Sequence, residues 1–212
     1  MPQLALVTPE IEVGKPEPRP EHEVIGRLVK AKTKVLDVGC GDGALLHLLA
    51  RERGAKVRGL DIDQARVNAC VSRGLSVVQG DADRDFADFP SASFDYVILS
   101  QTLQTLKRPS IALRHAARIG EHVIVSVANA AHWKTRFALV SSGRLRAKGV
   151  PWNETVQHPC SVRDFVSLAR SLGLTLERGV PMSGGRAGAP FAKTLWRANW
   201  FAEAVVFQVA QG

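Results

Sequence analysis

Nine consecutive residues set the architecture of this chain: Val35-Leu36-Asp37-Val38-Gly39-Cys40-Gly41-Asp42-Gly43. An apolar strand ends here in three alternating glycines, and the leucines that follow predict a helix over 44–53. Glycine lets the backbone turn sharply and come close to a ligand at the carboxyl edge of a parallel sheet. The stretch therefore predicts a small-molecule site at the end of the first strand.

Strands and helices alternate around this glycine turn. Periodic apolar positions predict helices at 21–30, 44–53, 64–73, 161–171 and one beginning near Pro109, and strands at 34–38, 57–60, 75–78, 94–99, 122–127, 174–178 and 202–209. Ser161, followed by Asp164, forms an acidic variant of the capping box. The alternation predicts an α/β protein with a Rossmann-like fold, a mostly parallel, seven-stranded, doubly wound sheet with helices on both faces.

The 212 residues suit a single domain. Residues 1–20 contain five of the eleven prolines, with glutamates between them, and predict a flexible tail before a domain at 21–212. Within that domain, a long basic stretch at about 129–160 breaks the alternation and predicts an inserted segment that covers or shapes a site.

Composition predicts a cytoplasmic protein. The first residues lack the basic start and apolar run of a signal peptide, and no apolar stretch approaches the roughly 20 residues that cross a bilayer. Cys40, Cys70 and Cys160 are too widely spaced to predict a disulfide framework or a metal site. The net charge of +8 would suit a polyanion, but many solvated surfaces are equally basic, so we expect no nucleic-acid ligand.

Three acids lie at the ends of successive predicted strands. Asp37 precedes the glycines, where a carboxylate suits the ammonium of S-adenosylmethionine and would repel a pyrophosphate. Asp61 stands where ribose hydroxyls are bound, a feature shared with the dinucleotide dehydrogenases that the glycine pattern also allows. Asp81, in Gln79-Gly80-Asp81-Ala82, favours the methyltransferase alternative. The predicted residues for S-adenosylmethionine or S-adenosylhomocysteine are Asp37, Gly39, Cys40, Gly41, Asp61, Ile62, Asp81, Ala82 and Ser100.

The sequence does not identify a catalytic residue. A sulfonium already activates the methyl group, so positioning can supply most of the catalysis. His132 and His158, both in the inserted segment, are the candidate bases if the acceptor must lose a proton. No hydrolase or zinc-protease motif is present, so no metal is expected.

Two further stretches resemble the MetW family of methionine biosynthesis proteins. They are Phe94-Asp95-Tyr96-Val97-Ile98-Leu99-Ser100-Gln101-Thr102-Leu103-Gln104 and the set Asn129, His132-Trp133, Arg136 and Gly143-Arg144. The resemblance covers Val35 to about Phe165, and the run after Pro151 departs from the family pattern.

The resemblance implies a partner, the homoserine O-acyltransferase MetX. Two hypotheses follow: an auxiliary or regulatory protein that supports this acyltransferase, or an active methyltransferase that acts on a small metabolite. The segment from Asn129 to Trp152 is predicted to form a lid or a partner-facing surface, because Trp133 and Trp152 flank a basic stretch.

Overall fold

The computed structural model describes residues 18–143, 158–193 and 195–212. Its centre is a sheet with the strand order β3-β2-β1-β4-β5-β8-β6-β7. The strands are β1 (Lys34–Val38), β2 (Lys56–Asp61), β3 (Val77–Gln79), β4 (Phe94–Ser100), β5 (Gly120–Ala128), β6 (Leu174–Ser183), β7 (Arg186–Ala187) and β8 (Ala204–Gln211). The first five strands are parallel, whereas β8 is antiparallel to both β5 and β6. Strand order reverses between β1 and β4, and a crevice opens there at the carboxyl ends of the strands.

The sheet has eight strands, so the predicted number of seven is wrong by one short strand. β7 has only two residues and pairs with the end of β6 through a hairpin. The turn of this hairpin is Gly184-Gly185, whose φ angles of 54° and 73° suit a two-residue connection. Two residues are too few to produce a periodic signal, so sequence patterning could not reveal this strand.

Helices cover both faces of the sheet, as predicted. They are α1 (Pro20–Leu28), α2 (Ala44–Arg53), α3 (Gln64–Ser72), α4 (Pro109–Ile119), α5 (Trp133–Ser142), α6 (Val162–Ser171) and α7 (Trp196–Phe201). The limits of α2 are those predicted. The capping box of α6 is confirmed, because Ser161 Oγ accepts the N–H of Asp164 at 3.1 Å and Asp164 Oδ2 accepts that of Ser161 at 2.8 Å.

Alternate residues of the central strands pack into two separate hydrophobic cores, one on each face of the sheet. Leu36 and Val97 face a core completed by α4, α6 and α7, whereas Val35 and Ile98 face one completed by α1 and α2. Each strand is therefore buried on both sides, which explains the continuous apolar runs in the sequence. The result is a rigid sheet that holds the loops at its carboxyl edge in place.

Parts of two predicted segments lie outside the described residues, namely 1–17 of the tail and 144–157 of the inserted segment, with Trp152. Pro20, counted with the tail, is the first residue of α1. The described start of the inserted segment is helical as α5, which the sequence pattern did not predict. Among the described residues, no helix is both long enough and apolar enough to span a membrane.

Candidate ligand-binding site

A cleft of about 530 Å³ lies at the carboxyl ends of β1, β2 and β4. The loop after β3 and the chain between β4 and α4 complete its walls. A volume of this size falls within the range of about 300–1,000 Å³ that is usual for small-molecule sites. The cleft lies at the reversal of strand order, where a doubly wound sheet binds its ligands.

The glycine turn has a backbone that only glycine adopts readily. Gly39, Gly41 and Gly43 have φ angles of +73°, +57° and +77°. A Cβ on Gly39 would lie 2.5 Å from Oγ1 of Thr102, so the loop after β4 packs directly on this turn. A Cβ on Gly41 would meet nothing within 4 Å. Gly41 therefore presents bare backbone to the open cleft.

Asp61 at the end of β2 is held in one orientation by the glycine turn. Its side chain is almost fully buried, with Oδ2 accepting the N–H of Gly41 at 2.7 Å and Oδ1 accepting the N–H of Asp63 at 3.0 Å. A carboxylate can accept about four hydrogen bonds, so these two leave room for others. Because Asp61 also lines the cleft, it can accept two hydroxyl donors from a ligand.

Asp81 and Ala82 follow β3 and form another part of the cleft wall. Asp81 donates its N–H to Oδ2 of Asp85 at 2.7 Å, and its own Oδ1 accepts the N–H of Asp83 at 2.9 Å. Asp83 in turn accepts the N–H of Lys107 at 2.9 Å, which ties this wall to the chain before α4. These hydrogen bonds hold the turn around Asp81 in place as part of the cleft wall.

Asp37 is buried beside the glycine turn, and Oδ1 has no hydrogen-bond partner among the residues described. Burial raises the pKa of this carboxyl from 3.8 to about 7, the guanidinium of Arg19 opposes the rise, and the charge of Asp61 adds to it. A buried carboxylate oxygen without a hydrogen-bond partner is costly. The position suits a ligand group that donates hydrogen bonds and carries positive charge.

Seven of the nine predicted ligand residues line the cleft: Gly39, Gly41, Asp61, Ile62, Asp81, Ala82 and Ser100. Asp37 and Cys40 do not. Cys40 Sγ lies 2.7 Å from the position of a Cβ on Gly59, so the thiol points toward β2, and burial raises its pKa. Any contact of Cys40 with a ligand would be made by its backbone. That these nine residues bind a ligand stays a prediction.

The structure adds cleft residues that the patterns did not predict, among them Arg19, Arg66, Gln101, Thr102, Thr105 and Lys107. Gln101 has a φ of +56°, which is uncommon outside glycine. Its N–H donates to Oγ of Ser126 at 2.8 Å and its side-chain amide donates to Glu21 of α1. Gln101 and Thr102 belong to the MetW-like stretch, which was their only signal in the sequence.

Neither predicted base lies in the cleft. His132 is buried at the start of α5, where Nδ1 accepts the N–H of Lys134 at 3.3 Å and the ring also bonds to the backbone of Phe201. Burial lowers its pKa. His158 is exposed, and its backbone N–H donates to the carbonyl of Gln104 at 3.0 Å. His132 therefore caps a helix, and the structure brings neither ring to the ligand site.

Two other residues of the MetW-like stretches join loops. Gln104 Oε1 accepts the N–H of Ala128 at 2.8 Å, and its Nε2 donates to the carbonyls of Ala128 at 3.2 Å and His158 at 3.4 Å. Asn129 Nδ2 donates to the carbonyl of Ala202 at 2.8 Å. Both side chains are buried: Gln104 ties the chain after β4 to the end of β5, and Asn129 ties the chain after β5 to the end of α7.

We expect Gln104→Ala to lower the free energy of unfolding by about 1–3 kcal/mol, because the N–H of Ala128 loses its acceptor in a buried place. Urea denaturation followed by circular dichroism measures this. Gln64→Ala is the control, since the side chain of Gln64 is exposed on α3 and, among the described residues, bonds to the side chain of Asn68 alone. A loss no greater than that of the control would contradict the structural role of Gln104.

An apolar surface lies away from the sheet on α5 and α7. No residue of α5 is buried, and Trp133, Phe137 and Val140 follow one another at helical spacing, with Phe137 69% and Val140 88% exposed. The guanidinium of Arg136 lies 4.4 Å from the ring centre of Trp200, which joins the two helices. We call the side chains of these five residues the α5–α7 surface. Exposed aromatic and aliphatic groups in such number are typical of interaction sites.

The strand order, the antiparallel β8 and the cleft beside the glycine turn define a class I S-adenosylmethionine-dependent methyltransferase fold. A TehB-like SAM-dependent methyltransferase from Corynebacterium glutamicum has this fold, with a TM-score of 0.61 at 18% identity over 92% of this chain and 89% of that one. Within the class, the chain belongs to the family of methionine biosynthesis protein MetW, whose model matches residues 19–209.

Curated relatives are longer than this chain. The bifunctional methionine biosynthesis protein MetXA/MetW of Rhodopirellula baltica is 32% identical over 133 residues, which are 58% of this chain and 21% of that protein. A ubiquinone biosynthesis O-methyltransferase of Alkalilimnicola ehrlichii is 35% identical over 104 residues, 45% of this chain and 42% of that protein. The chain therefore spans about a fifth of the first relative and under half of the second.

Proposed function

We propose that the chain binds S-adenosylmethionine or S-adenosylhomocysteine in the cleft and acts in the cytoplasm as an auxiliary or regulatory partner of homoserine O-acyltransferase MetX. The auxiliary role is supported above all by which residues line the cleft. Asp61 and Asp81 on its walls and Asp37 beside it serve recognition, whereas neither histidine predicted as a base lines it. The site is equipped to bind a ligand and lacks the predicted means of deprotonating an acceptor.

Each acid has a distinct part of the ligand to bind. Asp61 accepts hydrogen bonds from the two ribose hydroxyls, since it lines the cleft and its two backbone hydrogen bonds leave acceptor capacity on both oxygens. Asp81 and Ala82 lie beside the adenine. Asp37 holds the ammonium, which would satisfy its unpartnered oxygen and neutralise its buried charge.

The partner is proposed from the relative in Rhodopirellula baltica, whose name joins MetXA and MetW in one polypeptide. S-adenosylmethionine is made from the methionine that this pathway supplies. A ligand that binds the free and the complexed chain with different affinity changes the free energy of association by that difference. The concentration of S-adenosylmethionine would then regulate how much acyltransferase is bound to the chain. The α5–α7 surface is the proposed contact, because it offers aromatic and arginine anchors.

The test is acyl transfer by tagged homoserine O-acyltransferase with and without this chain. We expect the two proteins to purify together and the chain to raise acyl-transfer activity or thermal stability, because a partner that binds only the folded enzyme stabilises it by mass action. Phe137→Asp should abolish association while leaving S-adenosylhomocysteine affinity unchanged. Val71→Asp, which adds the same charge at an exposed apolar position of α3, should leave association intact. Equal association of both variants would remove the α5–α7 surface from the interface.

The alternative is an active methyltransferase that acts on a small metabolite. It is favoured by the 35% identity with the ubiquinone biosynthesis O-methyltransferase, a protein named for methyl transfer. Turnover of labelled S-adenosylmethionine distinguishes the two functions. Robust turnover by the purified chain with a metabolite acceptor, without any effect on acyl transfer, would overturn the auxiliary role.

A further inference from the structure

A second cavity, of about 790 Å³, lies at the end of β6. Its walls are the end of β6, the short strand β7, residues 188–193 and the helix α7. None of the residues that line it also lines the S-adenosylmethionine cleft. Its volume is in the range of about 300–1,000 Å³ that is usual for small-molecule sites.

Hydrogen bonds and ring contacts hold the walls of this cavity in place. Phe191 and Gly179 of β6 exchange two backbone hydrogen bonds, of 2.7 and 2.8 Å. The ring of Phe191 covers Gly179, where a Cβ would lie 2.6 Å from Cζ, and packs edge-on against Phe207 of the core. On the other side, Ser183 Oγ donates to the carbonyl of Phe201 at 2.9 Å, which ties β6 to the end of α7. The cavity is therefore a concave site with fixed walls.

Three basic side chains from separate segments line the cavity: Arg186 of β7, Lys193 and Arg197 of α7. All three are exposed, and none forms an ion pair within the part of the chain that the structure describes. No aspartate or glutamate is among the described residues that line the cavity. Glu203, just beyond the lining residue Ala202, accepts the N–H of Gly184 at 2.9 Å. The cavity thus has three positive charges and no lining counter-charge, which favours an anion.

Most of the remaining lining is apolar. Pro181, Pro190, Phe191 and Phe201 are its largest apolar groups, and Phe201 is 54% exposed. A bare inorganic anion would leave this apolar surface in contact with water, whereas a neutral apolar ligand would leave the three cations unbalanced. A ligand that satisfies both features carries negative charge on an apolar body.

We propose that this cavity is a second ligand site, for a soluble organic phosphate monoester with an apolar body. Three cations match a group with about two negative charges and three acceptor oxygens, as a phosphate monoester has near pH 7. Arginine binds such a group through paired N–H donors, and lysine binds it as a point charge. This site goes beyond the proposed function, because it does not depend on what occupies the cleft.

The experiment is calorimetry on the whole chain at pH 7.5 with four probes. Octyl phosphate has the charged group and the apolar body, inorganic phosphate has only the first and 1-octanol only the second. Octanoate has a similar apolar body with a single charge. We expect one octyl phosphate to bind per chain, at least about 10-fold more tightly than any of the other three probes. Equal affinity for octyl phosphate and octanoate would overturn the phosphate as the preferred group.

Removal of the three cations should abolish this preference. With Arg186→Gln, Lys193→Gln and Arg197→Gln combined, octyl phosphate should bind about 10- to 100-fold more weakly and no more tightly than octanoate. All three side chains are exposed, so the fold should persist, and circular dichroism checks it.

The matched control combines Arg51→Gln, Lys56→Gln and Arg170→Gln, which remove three exposed cations that line neither cavity. This control should bind octyl phosphate as the wild type does. Equal affinity of the two triple variants would overturn the proposal. Competition between octyl phosphate and excess S-adenosylhomocysteine would overturn it as well, since the probe would then bind in the cleft. Failure of S-adenosylhomocysteine to bind at all would overturn the proposed function and leave the second site standing.

A membrane lipid can present the same chemical group. Sedimentation with vesicles of phosphatidylcholine and phosphatidic acid distinguishes a lipid head group from a soluble ester. We expect the wild type to sediment no more than the variant without the three cations, because the cavity is concave and its walls are fixed. Sedimentation that requires Arg186, Lys193 and Arg197 would overturn a soluble ligand.

Discussion

Asp61→Ala is expected to weaken S-adenosylhomocysteine binding by on the order of 1.5–3 kcal/mol, about 10- to 150-fold, because the charge-assisted hydrogen bonds to the ribose are lost. The substitution also removes the acceptor for the N–H of Gly41, so the glycine turn loses the bond that orders it. Both effects weaken ligand binding. Isothermal calorimetry with S-adenosylhomocysteine measures their sum.

The control for this prediction is Asp88→Ala, which removes the same charge from an exposed position in the short 3₁₀ helix Asp85–Asp88. Asp61→Asn separates the two effects, since its amide oxygen can still accept one backbone N–H. We expect the asparagine variant to keep the unfolding midpoint better than the alanine variant, while both bind weakly. Unchanged affinity in Asp61→Ala would mean that the ligand does not bind at the end of β2.

The sheet was predictable because its signals are local. β1 and α2 have the predicted limits, since an apolar strand, a glycine turn and a leucine face follow one another without interruption. α5 and α7 were not predicted, because they lack such local signals. No residue of α5 is buried, so no apolar stripe facing a core marks it, and α7 has only six residues.

The ligand site was predictable where it is built from strand ends. Asp61 is the last residue of β2 and Asp81 comes two residues after the end of β3, and parallel strands bring their carboxyl ends to one edge. Arg19 and Lys107 were not predictable, because their positions depend on contacts between distant segments. Arg19 precedes a helix that packs beside β1, and Lys107 is held by Asp83 from the other side of the cleft.

In the MetW-like stretches, several polar residues have structural contacts in the fold. His132, a candidate base on sequence grounds, caps α5 at a distance from the cleft walls. Gln104 and Asn129 likewise bond to backbone groups of neighbouring loops. Buried amide side chains that satisfy backbone groups constrain a sequence as strongly as chemistry does. A sequence alone does not distinguish these two causes.

The affinity for S-adenosylhomocysteine is expected to rise with pH through about 7, because the ammonium binds the ionised form of Asp37. A carboxyl with a pKa of about 7 in the free protein is mostly protonated at pH 5.5, so affinity should fall about 25-fold between pH 7.5 and pH 5.5. Among the described residues, the charges that act on Asp37 are those of Arg19, the residue before α1, and Asp61, the last residue of β2. His22 has a pKa of about 4 and stays neutral over this range.

The same shift has the opposite effect on the unliganded fold. The folded-state pKa of Asp37 lies above its ordinary value of 3.8, so its protonation favours the fold, and this stabilisation is lost as pH rises from about 4 through about 7. Asp37→Asn removes that dependence. The stability of the wild type relative to Asp37→Asn should therefore decrease across this range in the absence of ligand and recover when S-adenosylhomocysteine is added.

Calorimetry between pH 5.5 and 7.5 with two ligands makes this prediction specific to Asp37. The affinity of 5′-methylthioadenosine, which has no ammonium, should stay constant over the range, and Asp37→Asn should bind S-adenosylhomocysteine weakly at every pH. If both ligands lose affinity equally at low pH, the titrating group acts on the nucleoside and Asp37 is not the ammonium partner. A constant affinity for S-adenosylhomocysteine would mean that Asp37 does not change its protonation state between pH 5.5 and 7.5. Protonation of Asp37 would then not control ligand binding.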